Sequence, residues 1–305
     1  MAIEDALEHP SCPICGATEA RALLLAGDDW IPDGPAREQR FCVMRCARCR
    51  ARYTSPRFSE ATKHLAFEGA YPFYERARKA AGPPSPRETA AFLRRIELVT
   101  GVHPAPGRVL DLGMGDGLFL AAMRERGWDV EGVDIEPGVV AYARTHLGLP
   151  GCRVLDADRE PFPPGPFDAV TLWGMFQLSY HPRELLEKIR PSLAPGGILA
   201  IGLSNIEGLG ARLFGRHWRG LGLPRHLVHY TPGSLEALLV ETGYRIQATA
   251  GETPDWIVDG SMNSACPLPG NLGRASRLAA RSVLGWLGRG RLGDTFTVIA
   301  GGAGS

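Results

Sequence analysis

The sequence predicts an α/β fold, a doubly wound, seven-stranded, mostly parallel sheet preceded by a small cysteine-rich module. Three observations carry that expectation. From Gly107 onward, short apolar runs alternate with helix-like stretches, the mark of βαβ units and a parallel sheet. Within them, Val109–Leu120 reads as a strand, a glycine-rich loop and the start of a helix. Near the N-terminus, four of the seven cysteines fall into two C-x2-C pairs.

Strands are expected at 108–113, 129–134, 152–156, 167–173, 197–203, 244–250 and 294–300. Helices fall near 117–127, 137–147, 182–193 and 231–243. Pro195-Gly196-Gly197 reads as a tight turn feeding the fifth strand. Thr231 followed by Pro232 reads as a helix cap. The late final strand could insert antiparallel. The division expected is a ribbon module at 1–58, a helical connector or lid at 59–105, and a catalytic domain at 106–305 with insertions near 206–230 and 262–292.

The run Asp111-Leu112-Gly113-Met114-Gly115-Asp116-Gly117 spaces its glycines as D-x-G-x-G-x-G. Dinucleotide sites use G-x-G-x-x-G to bring pyrophosphate to a helix N-terminus, and the third position of that pattern is here Leu118. The spacing suits a ligand with an amino-acid end and no phosphate. Asp134 ends the next strand, seventeen residues past Gly117, where a carboxylate can accept both hydroxyls of an adenosine ribose.

These stretches resemble the class I S-adenosylmethionine (SAM)-dependent methyltransferases. The likeness continues through Leu155-Asp156-Ala157-Asp158-Arg159-Glu160-Pro161-Phe162, Phe167-Asp168-Ala169-Val170 and Leu193-Ala194-Pro195-Gly196-Gly197. It implies that Asp156 takes the adenine amino group and that the Ala157 amide meets a ring nitrogen. The expected cofactor contacts are Asp111, Gly113, Met114, Gly115, Gly117, Asp134, Ile135, Asp156, Ala157 and Trp173. Pro224-Arg225-His226-Leu227-Val228-His229-Tyr230-Thr231 resembles the P-R-H-L-x-H-[FY]-[ST] segment of a bacterial branch that tails sugars and natural products. That branch usually reads H-x-x-E-H after the fourth strand, where this chain has Gly174-Met175-Phe176-Gln177-Leu178.

Cys12, Cys15, Cys46 and Cys49 give C-x2-C, thirty residues, C-x2-C. Two residues between thiolates let one tight turn present both sulfurs to a tetrahedral ion, so the four read as ligands of a structural Zn2+. Cys42 has poorer spacing and reads as a strand residue. A zinc ribbon ahead of such a domain also occurs in a type of rRNA methyltransferase, with a histidine ligand and closer spacing.

Methyl transfer from a sulfonium needs alignment and exclusion of water, and a hydroxyl or acidic carbon must also lose a proton. His226 and His229 are the candidate bases, with a structural loop contact as the alternative for each. His181 is a weaker third, and His217 and Trp218 are candidate acceptor contacts. Tyr71, Phe73 and Tyr74 read as a lid over the cofactor or as a packed helix face.

The formal net charge of +1 argues against a nucleic-acid partner. The opening residues lack a secretory pattern, and no run approaches the roughly 20 apolar residues of a membrane span. A cytoplasmic location is expected, with monomer and homodimer both open. Gly273–Gly288 is a basic amphipathic segment that more often covers a sheet edge or makes a dimer than rests on a membrane. The function expected is methyl transfer to an oxygen or carbon of a small molecule, sugar or natural-product intermediate. An RNA methyltransferase using Arg37, Arg40, Arg45, Arg48, Arg50 and Arg52, or a catalytically inactive SAM-binding scaffold, stands as the alternative.

Overall fold

The computed structural model describes residues 3–28, 30–31, 34–68, 74, 77, 79, 86–266 and 270–302; the side chains of 86–91, 270–272 and 274 are outside that description. Its strands are β1 (Leu7–Glu8), β2 (Ala20–Ala26), β3 (Phe41–Cys46), β4 (Arg52–Ser55), β5 (Arg57–Phe58), β6 (Arg108–Leu112) and β7 (Asp129–Asp134). They continue with β8 (Cys152–Val154), β9 (Phe167–Trp173), β10 (Leu193–Ser204), β11 (Val228–His229), β12 (Tyr244–Glu252) and β13 (Thr295–Gly302). Helices are α1 (Pro86–Val102), α2 (Leu118–Arg124), α3 (Pro137–His146), α4 (Pro182–Ile189), α5 (Leu209–Phe214), α6 (Pro232–Glu241), α7 (Asp255–Ala265) and α8 (Gly270–Leu287).

The central sheet has the order β12-β13-β10-β9-β6-β7-β8, and β13 alone runs antiparallel to its neighbours. This is the seven-stranded, mostly parallel sheet expected. The chain runs from β6 outward through β7 to β8, then returns to place β9 on the other side of β6. That reversal opens a crevice at the carboxyl ends of β6 and β9, where doubly wound sheets bind ligands. Strand burial is nearly continuous because helices cover both faces. Leu110 and Leu112 point to a core with Val170, Leu199 and Leu239, whereas Val109 packs with Phe119, Leu120 and Met123 on the opposite face.

Differences from expectation lie mainly at element ends. The fifth strand begins at Leu193 and carries a register irregularity between Leu193 and Ile198 that absorbs the glycine turn. Helix α4 stops at Ile189 and continues as a 3-10 turn, because Pro191 lacks the amide that another α-turn requires. The cap at Thr231 forms: its hydroxyl accepts from the Ser234 amide, and the Ser234 hydroxyl accepts from the Thr231 amide.

The N-terminal module shares its structure with the insertion that follows β10. Strand β11 adds to β4 and extends the meander into a sheet of order β11-β4-β3-β2. Phe41, Val43 and Phe58 from the module form one apolar cluster with Trp218, Leu221, Leu223 and Ile257. Asp28 and Arg225 lock this junction with a buried ion pair, their side chains 2% and 1% exposed. Arg225 donates to Asp28 Oδ2 at 2.9 Å and to the carbonyls of Ala66 and Leu223, while Asp28 Oδ1 accepts the amides of Trp30 and Ile31.

Removing one member of a buried pair leaves the other charge uncompensated. Asp28→Ala is therefore expected to lower unfolding free energy by about 3–5 kcal/mol, and the double variant Asp28→Ala/Arg225→Met by much less than the sum of the singles. Denaturant unfolding of the four proteins of the cycle measures this. Additive losses would mean that the pair is not coupled.

Candidate functional site

The glycine loop between β6 and α2 is built on positive φ angles at Gly113 (+73°), Gly115 (+55°) and Gly117 (+76°), which side-chain-bearing residues rarely adopt. Gly113 and Met114 donate their amides to the Val133 carbonyl at 2.8 and 3.0 Å, tying the loop to the end of β7. A Cβ at Gly113 would strike Met175, whereas one at Gly115 would meet nothing within 4 Å. The loop backbone therefore lies open at Gly115. Gly117 lies off the cavity wall: it precedes α2, and its neighbours are Ala143, Leu147 and Leu149. Its positive φ serves the turn into α2.

Asp134 closes the loop from the opposite strand. Its Oδ2 accepts the Gly115 amide at 2.9 Å and its Oδ1 the Glu136 amide at 3.0 Å. Burial raises its pKa to about 6 despite those two amides and a hydrogen bond from Tyr74. Asp111, at the end of β6, is raised to about 7 by burial, opposed by the Thr171 hydroxyl at 2.6 Å and by the charge of Arg95.

A cavity of about 940 Å³ opens beside these groups. Of the expected contacts, Asp111, Gly113, Met114, Gly115, Asp134, Ile135, Asp156, Ala157 and Trp173 all line it. The Trp173 indole stands edge-on to Phe119 at 5.3 Å, under the Arg95 guanidinium, and its Nε1 is buried without a hydrogen-bond partner. Asp156 is already engaged: Lys63, from the segment leaving the N-terminal module, pairs with Oδ2, and the Asp158 amide donates to Oδ1 at 3.1 Å. Tyr74 lines the cavity and packs with Trp30, Ile31 and Val139, whereas Tyr71 and Phe73 lie outside the described residues.

Farther along, the wall is aromatic. Trp30 stands edge-on to His226 at 6.0 Å and to Trp256 at 5.9 Å, with Phe67 and Met175 on the same cavity. Trp30, Lys63, Arg95, Glu252 and Trp256 were not among the expected site residues, because tertiary pairing alone brings them here. Glu252 is held by Arg94 at 2.6 Å and Asp255 lies 3.7 Å from Arg281.

Neither candidate histidine is a free base. The Gln177 amide lies 3.0 Å from His226 Nε2, its own carbonyl accepts the Ser204 amide, and His226 Nδ1 lies 3.1 Å from the Gly220 carbonyl. With Nδ1 protonated as donor, Nε2 accepts from Gln177 and both ring nitrogens are satisfied. His229 does not line the cavity; its Nε2 lies 2.9 Å from the Thr54 hydroxyl, in the N-terminal sheet. Burial lowers both pKa values to about 3, helped at His226 by His229 and Arg225 and at His229 by Arg52. His181 sits outside the cavity beside Glu60 at 3.2 Å. His217 and Trp218 also fall outside it, since Trp218 is buried in the junction core.

The four cysteines converge, with all Sγ atoms within 4.8 Å of one another, Cys12 to Cys49 at 3.5 Å and Cys15 to Cys46 at 3.6 Å. A tetrahedral ion with sulfur at about 2.3 Å places its ligands about 3.8 Å apart, so the set fits one ion. The two turns match each other. Cys12 donates to the Ala17 carbonyl and Cys46 to the Ala51 carbonyl, each at 2.9 Å, and the residue after the second cysteine has positive φ in both, Gly16 at +72° and Arg50 at +64°. Cys42 is absent from this group and bonds the Val43 carbonyl.

A family model for the methyltransferase domain matches residues 85–249. A ubiquinone biosynthesis O-methyltransferase of Xanthomonas axonopodis pv. citri is 28% identical over 187 residues, covering 56% of this chain and 77% of that protein. A demethylmenaquinone methyltransferase of Thermus thermophilus is 37% identical over 114 residues, 35% of this chain and 52% of that one. A chain from the solved complex between the Haloferax volcanii Trm112 methyltransferase activator and the putative methyltransferase superposes with a TM-score of 0.51 at 17% identity. It covers 76% of this chain and 97% of that chain, a likeness of fold.

Because both folded-state histidine pKa values lie below the unfolded value near 6.5, their neutral burial favours the fold fully above that pH, and the benefit is lost as pH falls from about 6.5 toward 3. Imidazole resonances of His226 and His229 should not titrate between pH 8 and 5 in NMR spectra. A midpoint near 6.5 for either ring would restore it as a candidate base.

Proposed function

The chain belongs to this methyltransferase family and is a SAM-dependent methyltransferase, and from that premise we propose that it methylates an oxygen or carbon of a largely apolar, ring-bearing small molecule. The observation that carries the choice of acceptor is the aromatic wall of Trp30, Phe67 and Trp256, beside polar groups that are already engaged with one another. A sugar would need free hydrogen-bonding partners at this wall. His226 and Gln177 are satisfied by protein neighbours, and both terminal nitrogens of Arg225 are held by Asp28 and backbone carbonyls.

The donor end fits SAM. Gly115 leaves room for close approach to the backbone, Trp173 Nε1 is a buried donor without a partner among the described residues, and Asp134 keeps acceptor capacity beyond its two amides and the Tyr74 hydroxyl. We assign the ribose hydroxyls to Asp134, and the adenine edge to Asp156 and the Ala157 amide, with Lys63 competing for the Asp156 carboxylate. When bound, SAM supplies a methyl group already activated by its sulfonium. The chain then has to align the acceptor and exclude water, a task to which the aromatic wall is suited. With His226 neutral and bonded at both nitrogens, the acceptor's own acidity sets when its nucleophilic form is present. A phenol-like or similarly activated group meets that requirement.

The cysteine cluster is assigned a structural Zn2+ held by Cys12, Cys15, Cys46 and Cys49, an all-thiolate site with no open position for chemistry. The RNA reading draws support from the closeness of Arg21, Arg50 and Arg52 to Arg45, whose pKa burial and these charges lower. Arg52, however, pairs with Glu207, and Arg37 with Glu38.

Replacing Asp134 with Ala is expected to weaken SAM binding about 10- to 100-fold, the worth of hydrogen bonds to a charged acceptor. Calorimetry measures this, with thermal unfolding as the control for the loop, and unchanged affinity would sink the ribose assignment. For the reaction, a panel of phenolic, quinol-like, sugar and RNA acceptors assayed for S-adenosylhomocysteine should show turnover with the apolar ring compounds. Its pH profile should move with the acceptor's pKa and show no step near 6.5. Turnover confined to sugars or RNA would overturn the acceptor class. Elemental analysis should find one zinc per chain, and Cys49→Ser should lose it.

A further inference from the structure

Helix α8 turns its apolar row away from the protein. Ala275, Leu278, Ala279, Val283, Trp286 and Leu287 recur at spacings of three and four, and all are exposed. Trp286 is 70% exposed, Leu278 56% and Val283 55%. Leu284, on the opposite side, is buried, and that side packs on α7. A helix on a protein surface ordinarily buries such a row, and a contiguous exposed one marks a contact site.

The charge of this element has one sign. Residues 270–293 contain five arginines and no aspartate or glutamate. Arg277 and Arg281 lean toward α7, where they meet Asn263 and Asp259. Arg289 and Arg291 follow the helix end, beside Leu287 and the exposed Leu292. Arg291 pairs with Glu236 on α6, and Arg289 makes no ion pair among the described residues.

We propose that this face of α8 rests on an anionic lipid bilayer, with Trp286 and its neighbours in the headgroup boundary and Arg289 against lipid phosphates. No helix among the described residues is long and apolar enough to cross a membrane, so the contact is interfacial. A second copy of the chain is the competing occupant. A twofold pairing through this row would set one arginine-bearing element against another, and residues 270–293 of either copy offer Arg289 no carboxylate, whereas anionic headgroups do. Helix α7, which packs on α8, carries Asp255 and Trp256 on the cavity wall, so attachment holds the cavity beside the lipid. Entry of an acceptor from the lipid rests on the apolar-acceptor reading above, whereas attachment itself does not.

The test is flotation of the full chain with vesicles of phosphatidylcholine alone and of phosphatidylcholine mixed with phosphatidylglycerol. Binding is expected to the anionic vesicles and to fall with added salt. Val283→Glu/Trp286→Glu should weaken it about tenfold or more, and Arg289→Ala about fivefold, the equivalent of about 1 kcal/mol per arginine near an anionic surface. SAM affinity and circular dichroism of the variants should match the parent chain. Should the double variant fail to fold, the dependence of the parent chain on lipid charge and salt still decides. Absence of binding to anionic vesicles overturns the proposal. So does a dimer, detected by light scattering, that Val283→Glu dissociates. Because vesicle binding involves no methyl transfer, a wrong acceptor class would leave this result standing.

Discussion

Two opposite charges 197 residues apart in sequence, Asp28 and Arg225, are almost wholly withdrawn from water. Much of the acceptor side of the cavity depends on their meeting. Neither charge is tolerable alone in that environment, so the loop carrying Asp28 and the segment carrying Arg225 can bury only together. Their junction fixes three things at once. The Asp28 carboxylate takes the amides of Trp30 and Ile31 and so sets the indole in the cavity wall. Arg225 holds the Ala66 carbonyl, where the chain leaves the module. Its neighbour His226 then falls within reach of Gln177, which in turn pins the Ser204 amide at the end of β10.

That chain of contacts ties both ring nitrogens of His226 to protein groups. In Gly174–Leu178 a glutamine stands opposite His226, and a glutamine amide holds an imidazole neutral without offering it a proton acceptor. The same low polarity that lowers the histidine pKa values raises those of Asp111 and Asp134. One environment thus disfavours charge on both kinds of group.

How much of this was legible in the sequence follows from distance along the chain. Strands β6 and β7, the glycine loop, Asp134 and the capped start of α6 are encoded within runs of a dozen residues, and the structure has them where the sequence places them. The two cysteine turns are equally local, although nothing in the sequence announces the positive φ of Arg50. Spacing distinguishes a loop from other loops but does not tell a glycine on the cavity wall, as Gly115 is, from one beside Ala143 and Leu149, as Gly117 is. The partner of His229, Thr54, lies 175 residues away, and nothing near His229 in sequence announces β11 joining the N-terminal sheet. Lys63 at Asp156 and Trp256 beside Trp30 escaped for the same reason.

The division has a physical basis. Binding a sulfonium cofactor needs a sharp turn, backbone donors and a carboxylate at the next strand end, and one βαβ unit supplies all of them. Gripping an acceptor needs a wall on the far side of the transferred methyl group. The sheet cannot provide that wall, because its strands end there. Elements outside the sheet line the cavity there: the loop at Trp30, the segment at Arg225 and the start of α7. They come from separate stretches of the chain, so this wall carries no continuous motif. The outward apolar row of α8 belongs to the same logic. An insertion freed from covering the sheet can present one face to the cavity's surroundings and another to a surface outside the protein.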